Sequence, residues 1–584
     1  MTNSANSDTL FDRFVVPGDH VRSDYIGLIK EIVARKRNEG EAWNKPLAAA
    51  YQLLFEELRD NRGVPVEAIS FGTSGWRGKL GKDIFVSSAA LVTTAIVQIY
   101  ENLATESELR GSLGVESLTE AQERGCVLGF DNRFGGPLLA ASVAYILADK
   151  GFHVHYAGES TTGVLSAAVL KLHAAFSINL TPSHNPLEYG GYKFNAADAG
   201  PAASQVTERI TANARKLVEQ AYIPGEVPTT LEEVMKLFPH VHPFNSLATW
   251  KKLVRENQPV HGLDLDKSIA IFLNRDDIVV AVDCVHGASR LHVRELFGST
   301  MKPSFIVLRD TADVTFGGVS PEPSTANMRS VVATLQKNTA PLKLGAIIDP
   351  DGDRIRFTDG TTEITMNQFG AMAYHFLHEY KGKSGLVAKT VATSNLANSI
   401  AAAFGEELYE PSVGFKNFKP VIGKALVYFE ESDGISIIGH TPEKDAYIGL
   451  LLALEMMLAT NMNLGDYLKT IEKKYGAFYP ERDGVVVSIK GEELLRLLAG
   501  LAKYHQGSTV KVGDAVLKIT EIITIDGMKI LFEDGSWLMI RPSGTEPKVR
   551  FYVESRNPSG TSDLVATAKK MLIEIGVLQD SSCP

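Results

Sequence analysis

Thr181-Pro182-Ser183-His184-Asn185-Pro186 is a polar hexapeptide that directly follows an apolar run from Ala174 to Leu180. The apolar run predicts a buried strand, so the hexapeptide forms a loop at the end of that strand. Pro182 and Pro186 disfavour helical geometry in the residues before them, which holds Ser183 in a rigid loop. A hydroxyl presented in this way is either a nucleophile and phosphate carrier or the capping group of an ordinary turn.

A second polar loop carries three carboxylates. Asp349, Asp351 and Asp353 alternate along an extended segment that follows the apolar run from Leu344 to Ile348. Carboxylates held this close repel one another unless a cation lies between them, and oxygen ligands suit Mg²⁺ or Ca²⁺. An EF-hand is excluded, because the positions that its loop reserves for Gly and Glu hold Arg and Gly. The loop therefore predicts a metal site, with a solvated acidic turn as the alternative.

Two further loops combine glycine with positive charge. Phe71–Gly78 is rich in glycine and contains Arg77, and Arg541–Pro547 follows a third apolar run. A guanidinium fork, hydroxyl groups and free backbone N–H groups are the donors that bind a phosphate dianion. Each loop also reads as an ordinary turn, because glycine and proline are common turn residues.

In this order, the four segments resemble the motifs of the α-D-phosphohexomutase superfamily, which contains the phosphoglucomutases and phosphomannomutases. The similarity extends from about Phe71 to about Ser555. Each short motif is weak, whereas their joint occurrence in this order is specific. Further matching segments are Gly191–Asn195, Asp283–Gly287, Gly414–Lys416, Glu430–Ser432 and Glu443–Asp445.

The resemblance implies an intramolecular phosphotransferase that interconverts hexose 1-phosphate and hexose 6-phosphate. Ser183 would be carried as phosphoserine, and a sugar 1,6-bisphosphate would be the intermediate. Mg²⁺ would be bound by Asp349, Asp351 and Asp353 together with an oxygen at Ser183, where it would offset charge on the transferring group. Glucose 1,6-bisphosphate is the implied activator.

The resemblance also implies roles for individual side chains. The catalytic group would comprise Ser183, Lys193, His184 and Arg77. The substrate-binding group would comprise Arg354, Lys416, Glu430, Ser432, Lys444, Arg541, Ser543, Gly544, Thr545 and Arg550.

Several of these residues have simpler interpretations. Lysine is usually exposed, so Lys193, Lys416 and also Lys389 could be solvated surface charges. The sugar-recognition loop departs from many relatives, because no histidine follows Glu430–Ser432 closely. His440 lies further along the chain, and the second acid/base residue therefore stays open.

Strands that alternate with amphipathic helices predict an α/β protein. The expected architecture is three related α/β domains plus a C-terminal α+β domain, which the resemblance places around a central cleft. Within the first part, Ser23–Arg59 is expected to be helical with an interruption at Pro46. The expected divisions are an N-terminal helical extension (1–70), domain I with the phosphoserine loop (71–248), domain II with the metal loop (249–365), domain III with the sugar-recognition loop (366–478) and domain IV with the phosphate-binding loop (479–584).

Composition limits the class of protein. The 584 residues carry 59 basic and 69 acidic side chains, a net charge of −10, with no concentrated basic face of the kind that binds nucleic acid. The three cysteines give no disulfide framework, and the N-terminus shows no secretory signal, so a cytoplasmic location is expected. The most apolar stretch, Ala446–Thr460, predicts a buried helix and no membrane span. Oligomeric state stays open.

Three functions fit these observations. The first is a hexose-phosphate mutase acting on glucose phosphates, with mannose and glucosamine phosphates as alternative substrates. The second is a synthase that releases glucose 1,6-bisphosphate. A non-enzymatic sugar-phosphate binder fits least well, because a binder has no need of a phosphorylatable serine beside a metal site.

Overall fold

The structure is a computed structural model that describes residues 9–19, 21–72, 75–299, 301–543 and 548–579. The described residues divide into two compact units. The first extends to Glu363 and includes Gly439–Leu458, and the second comprises Ile364–Ile438 and the chain from Ala459 onward.

The first unit begins with helical residues 9–14, followed by two longer helices, α1 (Tyr25–Glu39) and α2 (Asn44–Asp60). We call α1 and α2 the N-terminal helical pair. The expected helix is confirmed, but the interruption at Pro46 is wrong, because the break is the 3₁₀ turn Gly40–Trp43. Pro46 lies in the first turn of α2, where a helix needs no backbone N–H from that residue.

The first sheet has the strand order β1-β5-β4-β2-β3-β6. Its strands are β1 (Trp76–Lys79), β2 (Cys126–Phe130), β3 (Val154–Glu159), β4 (Phe176–Leu180), β5 (Tyr189–Ala196) and β6 (Val241–Pro243). Helices of this region are Val86–Glu101, Arg110–Leu113, Leu118–Arg124, Gly136–Asp149, Thr162–Leu172, Ser204–Glu219, Leu231–Leu237 and Ser246–Glu256.

The topology of this sheet decides where polar loops meet. Strands β3, β2 and β4 are parallel neighbours, so their carboxyl ends lie along one edge. Open α/β sheets bind ligands at that edge. The predicted strand before Ser183 is confirmed as β4, and the hexapeptide therefore lies at the ligand-binding edge.

The second sheet, also in the first unit apart from its last residue, has the order β11-β10-β9-β7-β8. The triple-aspartate loop connects β9 to its antiparallel partner β10, which confirms the strand expected before Asp349. The strands are β7 (Ile278–Asp283), β8 (Phe305–Leu308), β9 (Leu342–Ile348), β10 (Ile355–Thr358) and β11 (Glu363–Ile364). The helices are Gln258–His261, Leu265–Leu273, Ser289–Leu296 and Thr325–Gln336.

The second unit contains a mixed sheet of order β13-β12-β14-β15. Its strands are β12 (Val387–Lys389), β13 (Leu408–Tyr409), β14 (Val427–Glu430) and β15 (Gly434–Ile437). Its helical segments are Met366–Glu379, Leu396–Phe404, the 3₁₀ segment Phe415–Val421 and Leu464–Tyr475.

The same unit ends in an antiparallel sheet of order β16-β21-β20-β19-β18-β17. The sequence predicts a first strand from Gly484 to Ile489, but the observed strand is Tyr479–Val486. It begins earlier because every residue from Tyr479 to Val486, including the charged residues Glu481–Asp483, pairs with a residue of β21. The strands are β16 (Tyr479–Val486), β17 (Thr509–Val512), β18 (Ala515–Ile523), β19 (Met528–Phe532), β20 (Trp537–Pro542) and β21 (Lys548–Ser555). The helices are Gly491–Leu498 and Thr561–Glu574, with the 3₁₀ segment Ala499–Lys503 between β16 and β17.

The apolar stretch Ala446–Thr460 is a helix whose residues up to Met457 are buried, as expected. Within the described residues, no single helix has the length and apolar character needed to cross a membrane. Only when Ala446–Thr460 is combined with Leu464–Tyr475 as a bent pair are those criteria met.

Candidate functional site

Ser183 has an unusual backbone and a buried side chain. Its φ is +58°, a left-handed conformation that non-glycine residues adopt rarely, and it is 1% exposed. Its N–H donates to Thr181 Oγ1 at 2.9 Å, which fixes the turn. Its hydroxyl donates to Asp349 Oδ2 at 2.9 Å, so the structure brings the hexapeptide and the triple-aspartate loop together.

Arg133 holds the hexapeptide loop through hydrogen bonds to its backbone carbonyl groups. Its buried guanidinium donates to the carbonyl oxygens of Ser183 at 2.8 Å and Pro186 at 2.6 Å, and also to that of Asn185. Its neighbour Asp131 accepts a hydrogen bond from Thr181 Oγ1 at 2.6 Å. A planar fork with several donors suits such a cluster of carbonyl groups. Two residues that follow β2, Asp131 and Arg133, therefore hold the conformation of the hexapeptide loop.

The three aspartates form a compact cluster. One carboxylate oxygen from each of Asp349, Asp351 and Asp353 lies within 4.8 Å of the others, and all three residues are buried. Burial, with the charges of Asp351 and Asp353, raises the pKa of Asp349 well above its ordinary value. Asp351 Oδ1 and Asp353 Oδ1 are buried and accept no hydrogen bond, although Arg354 Nε lies 3.7 Å from Asp353 Oδ1. Buried carboxylate oxygen atoms that accept no hydrogen bond fit a divalent cation.

Two lysines lie beside this cluster. Lys193 Nζ donates to Asp351 Oδ2 at 2.5 Å and to Asp353 Oδ2 at 2.8 Å, and Lys444 Nζ lies 3.5 Å from Asp353 Oδ2. Lys193 is 6% exposed, so its interpretation as a surface charge is wrong. Burial lowers the pKa of Lys193, but the two carboxylates outweigh burial and raise it overall. Lys444 precedes a helix that begins at Ala446 and does not itself lie in that helix.

The remaining candidates in this unit surround Ser183. His184 Nδ1 lies 3.3 Å from Ser183 Oγ. Burial and the nearby charges of Arg354 and Arg77 place the pKa of His184 well below its ordinary value, which favours the neutral ring. Arg77 Nη1 donates to Asn185 Oδ1 at 2.9 Å, and burial, then Arg354, lowers the pKa of Arg77 to about 10.

Sequence reasoning missed residues at the ends of two neighbouring strands. Asp131 and Arg133 follow β2, and Thr162, which follows β3, donates to Asp351 Oδ2 at 2.8 Å. The predicted strand Val127–Phe130 could have pointed to Asp131 and Arg133, which follow it directly. Polar residues after a strand beside β4 must lie near Ser183, because parallel strands share one ligand-binding edge.

His440 has structural partners. Its Nε2 lies 2.6 Å from Asp445 Oδ2, and Trp250 Nε1 donates to the same oxygen at 2.5 Å. Both side chains of the His440–Asp445 pair are buried. The ring packs edge-on against Trp250 and its Nε2 is taken up by Asp445, so the contacts give no support to His440 as the second acid/base residue.

The second unit brings two of the predicted phosphate-binding residues together. Arg541 and Arg550 are directly opposite on β20 and β21, and Arg541 Nε donates to Asp526 Oδ1 at 2.7 Å. Ser543 N donates to the Lys548 carbonyl at 2.8 Å, which closes the base of the loop. The other two candidates, Gly544 and Thr545, lie outside the described residues.

The sugar-recognition candidates lie in the same unit, at the end of β14. Ser432 Oγ donates to Glu430 Oε1 at 2.8 Å. Burial acts to lower the pKa of Arg541, but its bond to Asp526 outweighs burial and raises it, and the charge of the intervening Glu431 is a smaller contribution in the same direction. Lys416 is half-buried. The surface interpretation of Lys389 is wrong, because its side chain is fully buried and lies 2.5 Å from Glu410 Oε2.

Four domain families match the chain in order, and all four describe phosphoglucomutase/phosphomannomutase. The expectation of four domains with mixed α/β content is thereby confirmed, while the exact boundaries stay predictions. The matches are alpha/beta/alpha domain I at 68–221, alpha/beta/alpha domain II at 265–362, alpha/beta/alpha domain III at 365–475 and the C-terminal domain at 493–569.

Individual relatives carry different names. Phosphoglucomutase-1 of Bos taurus is 25% identical over 79% of this chain and 88% of its own length. A probable phosphoglucosamine mutase of Methanobrevibacter smithii is 24% identical over 86% of this chain and 98% of its own. The crystal structure of a putative phosphomannomutase from Thermus thermophilus has a TM-score of 0.67 and 25% identity, covering 87% of this chain and 99% of that one.

Proposed function

The chain belongs to the phosphoglucomutase/phosphomannomutase family of phosphotransferase isomerases, and on that premise we propose that it interconverts glucose 1-phosphate and glucose 6-phosphate through phosphoserine at Ser183. One observation carries the proposal. Ser183 Oγ lies 2.9 Å from Asp349 Oδ2, beside a buried carboxylate cluster in which two oxygen atoms accept no hydrogen bond. A structural serine has no use for such a setting.

The proposed phosphoryl transfer breaks one bond and forms one bond at phosphorus. The bond between phosphorus and Ser183 Oγ breaks, a bond from phosphorus to a sugar hydroxyl oxygen forms, and the hydroxyl proton leaves. Transfer in the opposite sense then returns the other phosphoryl group of the bisphosphate to Ser183. His184 Nδ1 lies 3.3 Å from Ser183 Oγ, Lys193 Nζ binds two aspartates of the adjacent cluster, and we assign the proton transfers to these two side chains.

Positive charge in the cluster has three proposed sources. When bound by Asp349, Asp351 and Asp353 with an oxygen at Ser183, Mg²⁺ would supply charge that offsets the charge on the transferring phosphoryl group. Arg77 is already fixed beside the loop by Asn185, and Arg354 adjoins the carboxylates. Fixed charges of this kind need no reorganisation during the reaction.

The non-reacting phosphate is assigned to the second unit. Arg541 and Arg550 present two guanidinium groups across one strand pair, and Ser543 adds a hydroxyl. Gly544 and Thr545 complete the proposed phosphate loop, while Glu430, Ser432, Lys416 and Lys444 are assigned to the sugar. Binding energy from the remote phosphate would orient the reacting end of the substrate.

The test is a coupled assay with Mg²⁺ and glucose 1-phosphate, with and without a trace of glucose 1,6-bisphosphate as activator. We expect rapid formation of glucose 6-phosphate, loss of turnover in Ser183→Ala, and a phosphoryl group on Ser183 by mass spectrometry. Ser142→Ala is the matched control, because this buried serine donates only to the Val86 carbonyl, at 3.3 Å, and should retain turnover.

Parallel assays separate the substrate alternatives. Mannose and glucosamine phosphates are compared by kcat/KM, and fructose 1,6-bisphosphate is offered as a phosphoryl donor. Release of free bisphosphate instead of isomerised product would identify a bisphosphate synthase. Full activity of Ser183→Ala would refute the phosphoserine assignment.

A further inference from the structure

The N-terminal helical pair is fused to the core of the unit that carries Ser183. Buried residues of the pair, including Ile29 of α1 and Leu54 of α2, belong to the same continuous hydrophobic cluster as Phe176 and Leu180 of β4. The pair precedes residue 68, where the family match begins. It therefore lies outside the matched domain and shares one hydrophobic core with the strand before Ser183.

The pair contacts the segment after the nucleophile directly. Lys30 Nζ of α1 lies 2.8 Å from Glu188 Oε2, and Glu188 is only two residues beyond Pro186. The backbone carbonyl of Glu188 also accepts a hydrogen bond from Leu80 N at 2.8 Å. The ion pair thus joins α1 to the point where the hexapeptide loop enters β5.

A second contact acts through the residue beside Arg133. The ring of Tyr51 on α2 stacks on Phe134, with centroids 5.0 Å apart and planes inclined by 30°. Arg133, the preceding residue, donates to the carbonyl groups of Ser183, Asn185 and Pro186. Stacked rings restrict the backbone on which the guanidinium depends.

A third contact involves the turn that carries Phe316. Arg37 of α1 donates to the Gly317 carbonyl. In the same turn, Asp313 accepts hydrogen bonds from the backbone N–H groups of Thr315 and Gly317. The Phe316 ring of this turn lies 4.8 Å from the Arg133 guanidinium carbon, in cation–π geometry. The helical pair therefore reaches Arg133 by two routes, through the ring of its neighbour Phe134 and through the turn that carries Phe316.

We propose that the N-terminal helical pair positions the Ser183 loop for phosphoryl transfer, with Tyr51, Arg37 and Lys30 as the positioning residues. The inference rests on the proposed function of Ser183. Displacement of a reacting atom by about 1 Å can lower the rate on the order of 100-fold. The contacts of the helical pair, which we call the brace, act on the Ser183 loop only through Arg133 and Glu188, and can therefore still affect kcat. The helical pair need not touch the sugar, and KM should be unaffected.

The experiment uses the full-length chain and two independent perturbations. Tyr51→Leu removes the stacked ring, and we expect kcat to fall about 10-fold with KM unchanged, whereas Tyr51→Phe keeps the ring and should restore kcat. Lys30→Glu and Glu188→Lys should each lower kcat by about 2- to 5-fold, and the double exchange should recover it, as for an exposed ion pair. Lys45→Glu, at an exposed lysine of α2, is the matched charge control and should leave kcat unchanged.

A second readout does not depend on turnover. Amide hydrogen exchange of residues 183–189 should quicken in Tyr51→Leu and Lys30→Glu, and should match the wild type in Tyr51→Phe and Lys45→Glu. If the wild type shows no mutase activity but exchange follows this pattern, the brace stands and the proposed function falls. If the wild type turns over, and both kcat and exchange are unaffected by Tyr51→Leu and Lys30→Glu, the brace is refuted.

Discussion

Replacing Arg133 by methionine tests how the Ser183 loop is held. The substitution removes donors to the carbonyl groups of Ser183, Asn185 and Pro186 and leaves Asp131 buried without the cation whose Nε lies 3.7 Å from its Oδ2. Breaking a buried charge pair typically costs about 3–5 kcal/mol. The hydrogen bonds to the carbonyl groups belong to the same network as the charge pair, so their contributions do not simply add to it. We therefore expect the total loss of folding free energy to stay at about 3–5 kcal/mol. Displacement of Ser183 should lower kcat by about 100-fold.

The assay compares urea unfolding with steady-state turnover and with phosphorylation of Ser183 by glucose 1,6-bisphosphate. Arg124→Met is the matched control, because Arg124 also donates to backbone carbonyls, those of Gly114 and His173 at 2.8 Å, but not to the Ser183 loop. We expect the control to lose stability and keep kcat. If folded Arg133→Met turns over within about 2-fold of the control, the reasoning that Arg133 fixes the loop is wrong.

Two further predictions concern metal and pH. Asp351→Asn removes a carboxylate from the cluster, so added Mg²⁺ should raise the thermal midpoint of the wild type but not of the variant; an equal shift in both would contradict the metal assignment. Burial and the charge of Lys389 lower the pKa of Lys529 to about 8, with Glu410 and Glu554 opposing. Because the unfolded chain holds this proton up to its ordinary pKa near 10.5, the stability due to Lys529 rises with pH between about 8 and 10.5, by about 3 kcal/mol at most. Between pH 7.5 and 10, the free energy of unfolding in urea should therefore rise more for the wild type than for Lys529→Met. Equal changes in the two proteins would contradict the lowered pKa of Lys529.

The strands that carry the site were predictable because their apolar runs end in polar loops. Both β4 before Ser183 and β9 before Asp349 follow this rule. The neighbourhood of Lys193 was not predictable, because its partner Asp351 lies 158 residues further along the chain. A lysine is buried or exposed according to whether a carboxylate meets it, and that depends on how two sheets pack.

Strand bounds show the same limit. The segment Tyr479–Val486 contains Pro480 and three consecutive charged residues, a pattern that does not predict a strand. It forms because β21 offers a complete ladder of partners from Ser555 to Lys548. The break between α1 and α2 was likewise assigned to Pro46, although proline is compatible with the first turn of a helix. Local propensity therefore located the elements but not all of their ends.

The backbone of Ser183 has a consequence for the choice of residue at position 183. A non-glycine residue at a φ of +58° is disfavoured by about 1 kcal/mol or more, whereas glycine adopts this conformation freely. Mutation to glycine would relieve this backbone cost but would also remove the hydroxyl that donates to Asp349 Oδ2 at 2.9 Å. The proposed role of Ser183 as phosphate carrier would account for a serine at a position whose backbone favours glycine.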